Sequence, residues 1–226
     1  MFTVPVGLQR IFESGAEALD DAVRPGHVVH LAIDWQRLYC DPLSPTNSNN
    51  LQRVNKIATT LSQVNDFADE TRIVAPVWWV YHDPADFQDA QAGTIKSAIA
   101  QFREEGRAIC GYVDPEHDLV LRKPFKDAFA GTDLHERLQR NGIDTLLISG
   151  LYRHYSRMPG RSQCVGETMK SAVELGYKTF IVEDLTVDQV EHTSQSRMSL
   201  SQMTVADGAY SVVSDHVRSV LAKFKP

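Results

Sequence analysis

His27-Val-Val-His-Leu-Ala-Ile-Asp34 is a short run of apolar and β-branched side chains, preceded by Pro25-Gly26 and closed by a carboxylate. A run of this length, bounded by a turn, predicts a strand buried on both faces. Beyond the turn-rich residues 41–50, Leu51, Val54, Ile57, Ala58, Leu61, Val64 and Ala68 recur at helical spacing and predict a long helix with one apolar face. The pattern then repeats. Residues 73–80 predict a second strand, and residues 89–103 a helix faced by Ile95, Ala98, Ile99 and Phe102. Leu119, Val120 and Leu121 predict a short third strand.

Thr132 or Asp133 can cap a helix through Leu134 and Leu138 that stops at Asn141-Gly142, after which residues 143–149 return as a strand ended by Gly150. A helix starts at Cys164, carries Val165, Met169, Ala172 and Val173 on one face and leaves at Gly176. Residues 178–182 supply another strand and residues 211–223 a last helix. Strands alternating with helices of this length imply right-handed crossovers, hence an α/β fold: a three-layer αβα sandwich with a mainly parallel sheet. The 226 residues fit one large domain. Residues 1–24, where Leu8, Ile11 and Phe12 suggest a short amphipathic helix, read as an N-terminal extension to a domain over residues 25–226.

The chain is ordinary globular material, 42% hydrophobic and 23% charged, with a formal net charge of −6. Such a balance offers no global positive field, so neither nucleic acid nor an anionic membrane is an expected partner. Charges throughout residues 1–24 argue against a signal peptide or a membrane span, and a cytoplasmic location is the expectation. Cys40, Cys110 and Cys164 are odd in number and form no C-x-x-C pair, which argues against a disulfide framework or a zinc site.

Sites in open parallel sheets lie beyond the carboxyl ends of the strands. Three residues with reactive chemistry fall there. Asp34 follows the first strand, where a carboxylate is costly unless paired or needed for proton transfer; its plainer reading is a helix cap or loop anchor. Lys123 follows the third strand, and lysines are common on surfaces. Cys164 stands at a helix start, whose unpaired N–H groups and positive dipole end favour a thiolate; its plainer reading is a small buried apolar residue.

Longer motifs bear on that choice. Lys123-Pro-Phe-Lys-Asp-Ala-Phe129 with Thr132 and Leu134, the strand ending at Gly150, and Cys164-Val-x-x-Thr168-x-x-x-Ala172-x-x-x-Gly176-Tyr177, together with Asp34-x-Gln36, resemble the isochorismatase-like cysteine hydrolase superfamily over most of residues 27–186. The resemblance implies an isochorismatase-like, Rossmann-like hydrolase fold and a catalytic set of Asp34, Lys123 and Cys164. It implies an amidohydrolase that cleaves a C–N bond of a small amide or carbamoyl compound through a thioester on Cys164. In that scheme Asp34 moves protons and Lys123 holds and orients it. Backbone N–H groups of Gln163 and Cys164 are the expected oxyanion donors. Relatives are commonly homo-oligomeric, so a dimer or larger assembly is expected. The superfamily leaves two other readings open: an isochorismatase-type vinyl ether hydrolase, which uses the aspartate without a cysteine nucleophile, and a catalytically silent relative that binds a partner.

This chain departs from the superfamily in two respects. Gly150 and Cys164 are fourteen positions apart, further than in relatives, so residues 151–163 read as an insertion at the site mouth. There Arg153, Arg157 and Arg161 alternate with Tyr152, His154 and Tyr155, a pattern able to bind a carboxylate or an aromatic acid; the alternative is a solvated loop or a subunit contact. Trp35 and Gln36, beside Asp34, join Arg153 and Tyr155 as candidate pocket residues. Superfamily nicotinamidases generally bind a metal through an aspartate and histidines, but no D-x-H follows Asp34, so no metal is expected. His27, His30 and His82 read as structural. Ser162, in Gly160-Arg-Ser162-Gln-Cys164, lacks the second glycine of a nucleophile elbow, and the absence of G-x-G-x-x-G and P-loop motifs gives no cofactor to expect.

Overall fold

The computed structural model describes residues 6–44, 46–47, 50–83, 105–153, 162–188 and 201–225. Its six strands are β1 (Val28–Ile33), β2 (Val77–His82), β3 (Leu119–Lys123), β4 (Thr145–Leu151), β5 (Lys178–Val187) and β6 (Tyr210–Val212). They form one sheet in the order β3-β2-β1-β4-β5-β6, with every neighbouring pair parallel. The chain winds outward from β1 through β2 to β3, then returns to the other side of β1 for β4. Loops leaving β1 and β4 therefore diverge, which opens a crevice at the carboxyl edge of the sheet.

Strand periodicity divides the core into two layers. Along β1, Val28 and Ala32 face one side, where α1 (Val6–Ala22), α2 (Arg37–Cys40), α3 (Leu51–Thr71) and α6 (Ser214–Ala222) supply Leu19, Leu38, Ile57, Phe67 and Leu221. Val29, Leu31 and Ile33 face the other, against Leu134 and Leu138 of α4 (Leu134–Arg140) and Val165 and Met169 of α5 (Cys164–Glu174). Both faces being covered explains why the strands read as continuous apolar runs. The αβα sandwich expected from the alternation is the fold observed.

Several boundaries differ from the expectation. The second strand starts at Val77, because α3 continues to Thr71 and the following turn leaves Ile73 exposed to solvent. Strand β4 does not stop at Gly150 but runs to Leu151, and β5 extends to Val187. The last helix begins only at Ser214, since residues 210–212 pair with β5 as the edge strand β6. The helix expected over 89–103 lies outside the described residues. The segment set apart at the N-terminus forms α1, which packs on β6 and α6 and adds Leu19, Ala22 and Val23 to the core. Gly15 permits that packing, for a Cβ there would sit 2.2 Å from the Ser211 carbonyl oxygen.

His30 is buried in β1, its Nε2 2.7 Å from Ser149 Oγ on β4 and its ring edge-on to Phe67 of α3. Burial lowers its pKa from 6.5 to about 3, so the folded state keeps this ring neutral. Between those values the unfolded chain binds a proton that the folded chain refuses, so stability falls as pH drops from about 6.5 towards 3. From pH 6.5 to 5 this one group removes about 2 kcal/mol of stability. Urea unfolding at the two pH values should show that loss in the wild type and a shallower dependence, by close to one proton, in His30→Gln.

Candidate active site

Asp34, Lys123 and Cys164 are distant in sequence and meet at the carboxyl edge of the sheet. Asp34 is the first residue beyond β1. Its N–H still donates to Val80 O of β2 at 2.8 Å, but its φ of 61° turns the chain out of the sheet. Aspartate tolerates this left-handed conformation better than most residues with a Cβ. Gly150 lets β4 pass this corner, since a Cβ on it would lie 2.3 Å from Ile33 O.

Lys123 ends β3 and is fully buried. Its Nζ lies 3.2 Å from Asp34 Oδ1 and donates to the carbonyl oxygens of Phe125, at 3.3 Å, and Lys126, at 3.1 Å. Burial opposes its charge, but the Asp34 carboxylate and the Cys164 sulfur outweigh that and raise its pKa, so the ammonium persists. The loop carrying those carbonyls is tied to α5, with Ala128 N–H donating to Thr168 Oγ1 at 3.0 Å and Ser171 Oγ to Asp127 Oδ2 at 2.7 Å. Neither carboxylate oxygen of Asp34 is engaged in a well-aligned hydrogen bond within the protein. The group is held by the ion pair and keeps acceptor capacity for a proton.

Cys164 opens α5, nearly buried at 6% exposure, and adjoins both charges. The helix start was expected to favour a thiolate, and here the structure corrects the expectation. Burial, then the Asp34 charge, push the thiol up to about 12 against the pull of Lys123, so the resting sulfur is protonated. The aspartate and lysine form the charged pair, and the cysteine is a neutral acid beside it.

The fourteen-residue separation of Gly150 from Cys164 does not move α5 away from the sheet. Val165 N–H donates to Tyr152 O at 3.2 Å and Gln163 N–H to Arg153 O at 2.9 Å, which lace the two flanks of the insertion together. Gly166 admits this contact, because a Cβ would meet Arg153 O at 2.4 Å. The lacing also corrects the oxyanion expectation. Gln163 N–H is committed to Arg153 O, whereas Cys164 N–H has no partner among the described residues.

Arg153 and Gln36 are corrected too. The Arg153 guanidinium is buried and grips Glu183 Oε1 and Oε2 at 2.6 and 2.7 Å, with Asp188 at 3.4 Å and Thr204 at 3.2 Å, so it is spent on joining β4 to β5. Gln36 uses its side-chain amide as a peptide would. Its Oε1 accepts from His82 N–H at 2.8 Å, while its Nε2 donates to His82 O at 2.8 Å and Gly106 O at 3.0 Å. Trp35 is fully buried in the core layer that includes Tyr39 and Tyr152, its indole N–H unpartnered. Tyr155, with His154, Arg157 and Arg161, lies outside the described residues. Ser162 is buried beside Gly166, and among the described residues no cluster of three or more His, Cys, Asp or Glu could hold a metal ion.

A model of the Isochorismatase domain matches residues 28–214. The chain belongs to the isochorismatase family. It is 31% identical over 148 residues to an uncharacterized isochorismatase family protein of Bacillus subtilis, a match covering 62% of this chain and 72% of that one. It is 25% identical over 164 residues to a maleamate amidohydrolase of Pseudomonas putida, covering 70% and 71% of the two chains. Among solved structures, an isochorismatase family protein from Desulfovibrio vulgaris superposes with a TM-score of 0.64 at 24% identity, over 87% of this chain and 98% of that one. The N-carbamoylsarcosine amidase of Thermoplasma acidophilum gives 0.61 at 22% identity, over 83% and 96%. This isochorismatase-family hydrolase thus has the family fold around its buried charge pair. Among the described residues no helix is long and apolar enough to cross a membrane.

Residues that sequence reasoning passed over also flank the site. Burial and then the Asp34 charge raise the pKa of the Tyr39 hydroxyl, and the Arg53 guanidinium opposes them. Arg53 itself stacks over the Tyr152 ring at 4.8 Å.

Because the Asp34 charge holds the Cys164 proton on, Asp34→Asn should lower the thiol pKa while Lys123 still faces the sulfur. Alkylation of the Cys164 peptide by iodoacetamide, followed by mass spectrometry, should rise about tenfold per pH unit through pH 10 in the wild type. It should be faster in Asp34→Asn at pH 8. A plateau near neutrality in the wild type would mean a resting thiolate.

Proposed function

We propose that this protein is a cysteine amidohydrolase, in which Cys164 attacks the carbonyl carbon of a small amide or carbamoyl compound. The observation that carries the reading is the convergence of the Cys164 thiol with the buried Asp34–Lys123 pair. As sulfur closes on the carbonyl, its proton passes to Asp34, and the carbonyl oxygen gathers negative charge beside the Cys164 N–H at the head of α5. Asp34 then returns the proton to the nitrogen as the C–N bond breaks, which leaves ammonia and a thioester on Cys164. Water, deprotonated by Asp34, attacks the thioester; the acid departs and the proton restores the thiol. Lys123 remains charged throughout and keeps the aspartate aimed at the sulfur.

The names of two similar proteins, a maleamate amidohydrolase and an N-carbamoylsarcosine amidase, fit this reaction class. Cleavage of a vinyl ether by the aspartate alone leaves the cysteine without a task. In a coupled assay of ammonia release over a panel of small amides, Cys164→Ala and Asp34→Asn should each lose about a thousandfold in kcat while remaining folded. Full turnover by Cys164→Ala would transfer the chemistry to Asp34 and favour the vinyl ether reading.

A further inference from the structure

Arg53 occupies an unusual place. It is the third residue of α3, its backbone N–H donating to the Asn50 cap at 2.9 Å, so its positive charge sits at the positive end of a 21-residue helix. Among the described residues no carboxylate pairs with its guanidinium, and its Nε is buried without an acceptor. What it does touch is the Tyr152 ring, 4.8 Å below it. Tyr152 is 5% exposed and its hydroxyl is a second buried donor without a partner among the described residues. Its ring meets Tyr39 edge-on at 6.0 Å, and its carbonyl oxygen holds Val165 N–H, the residue after Cys164. Among the described residues the Arg53 Nε and the Tyr152 hydroxyl thus lack an acceptor, and the residue that carries the hydroxyl is bonded to the first turn of the Cys164 helix. Buried donors and half-buried cations are costly in that state unless an anion completes them.

We propose that Arg53, with the Tyr152 hydroxyl, binds a carboxylate on the substrate, so that the amide cleaved at Cys164 is the monoamide of a small diacid or a carbamoyl amino acid. This rests on the amidohydrolase reading and narrows it. The anion-binding role that the sequence suggested for Arg153 passes to Arg53, since Arg153 is already occupied by Glu183 and Asp188.

The test compares ammonia release from oxamate, malonamate and succinamate with that from the matching neutral diamides, in the wild type, Arg53→Gln, Arg53→Lys and Tyr152→Phe. Calorimetric titration with succinate and succinamide accompanies it as a readout independent of turnover. The wild type should prefer at least one acid over its diamide by about thirtyfold or more in kcat/KM. Arg53→Gln should erase that preference, chiefly by raising KM, and Arg53→Lys should restore part of it. Equal turnover of acids and diamides, or a preference untouched in Arg53→Gln, overturns the assignment; the amidohydrolase reading survives if Cys164→Ala still abolishes ammonia release. Conversely, no ammonia from any amide, with succinate binding that Arg53→Gln weakens, supports the anion site and removes the amidohydrolase. Absence of both turnover and succinate binding overturns the two together.

Discussion

The ion pair between Asp34 and Lys123 is the constraint on which the site depends. Both side chains are withdrawn from water, a loss that attraction repays only when geometry is good and the remaining donors are satisfied. Here the carbonyls of Phe125 and Lys126 complete the ammonium, while the carboxylate is left with open acceptor positions. Removing either partner would strand a buried charge at a cost of about 3–5 kcal/mol. The pair therefore ties β1 to β3 across β2 and holds its shape before any substrate arrives.

That arrangement reverses the usual picture of a reactive cysteine. A thiolate needs a positive environment, yet Cys164 is nearly buried and adjoins a carboxylate as well as an ammonium. The sulfur rests as a thiol, and in the proposed reaction its attack is linked to proton transfer onto Asp34. A neutral resting thiol also resists adventitious oxidation and alkylation, because those reactions run through the thiolate. Backbone detail enforces the contact: the left-handed turn at Asp34, the close passage of Gly150 by Ile33, and the seat of Gly166 against Arg153 each remove room for error.

Much of this was legible in the sequence. Runs buried on two faces mark parallel strands, and the carboxyl ends of those strands locate Asp34 and Lys123 without reference to distant contacts. A predicted helix start marked Cys164, and the family motifs joined the three residues into one set. What escaped was anything decided by partners far along the chain. The sequence around Arg153 shows a basic, aromatic segment near the site; only the fold brings Glu183 and Asp188 to neutralise it. Gln36 resembles a pocket residue until His82 and Gly106 take up its amide. Arg53 carries no motif at all, and its interest arises because no carboxylate among the described residues pairs with it. Strand β6 was missed because residues 210–212 are too short a run to separate from the helix that follows.

The proposed reaction passes through a covalent bond to one sulfur. Rapid-quench intact-protein and peptide mass spectrometry during turnover of a good amide measures it directly. Transient acylation of Cys164, with the mass of the substrate less ammonia, is expected, together with its capture by added hydroxylamine. Product formation with Cys164 unmodified at every time point would contradict it.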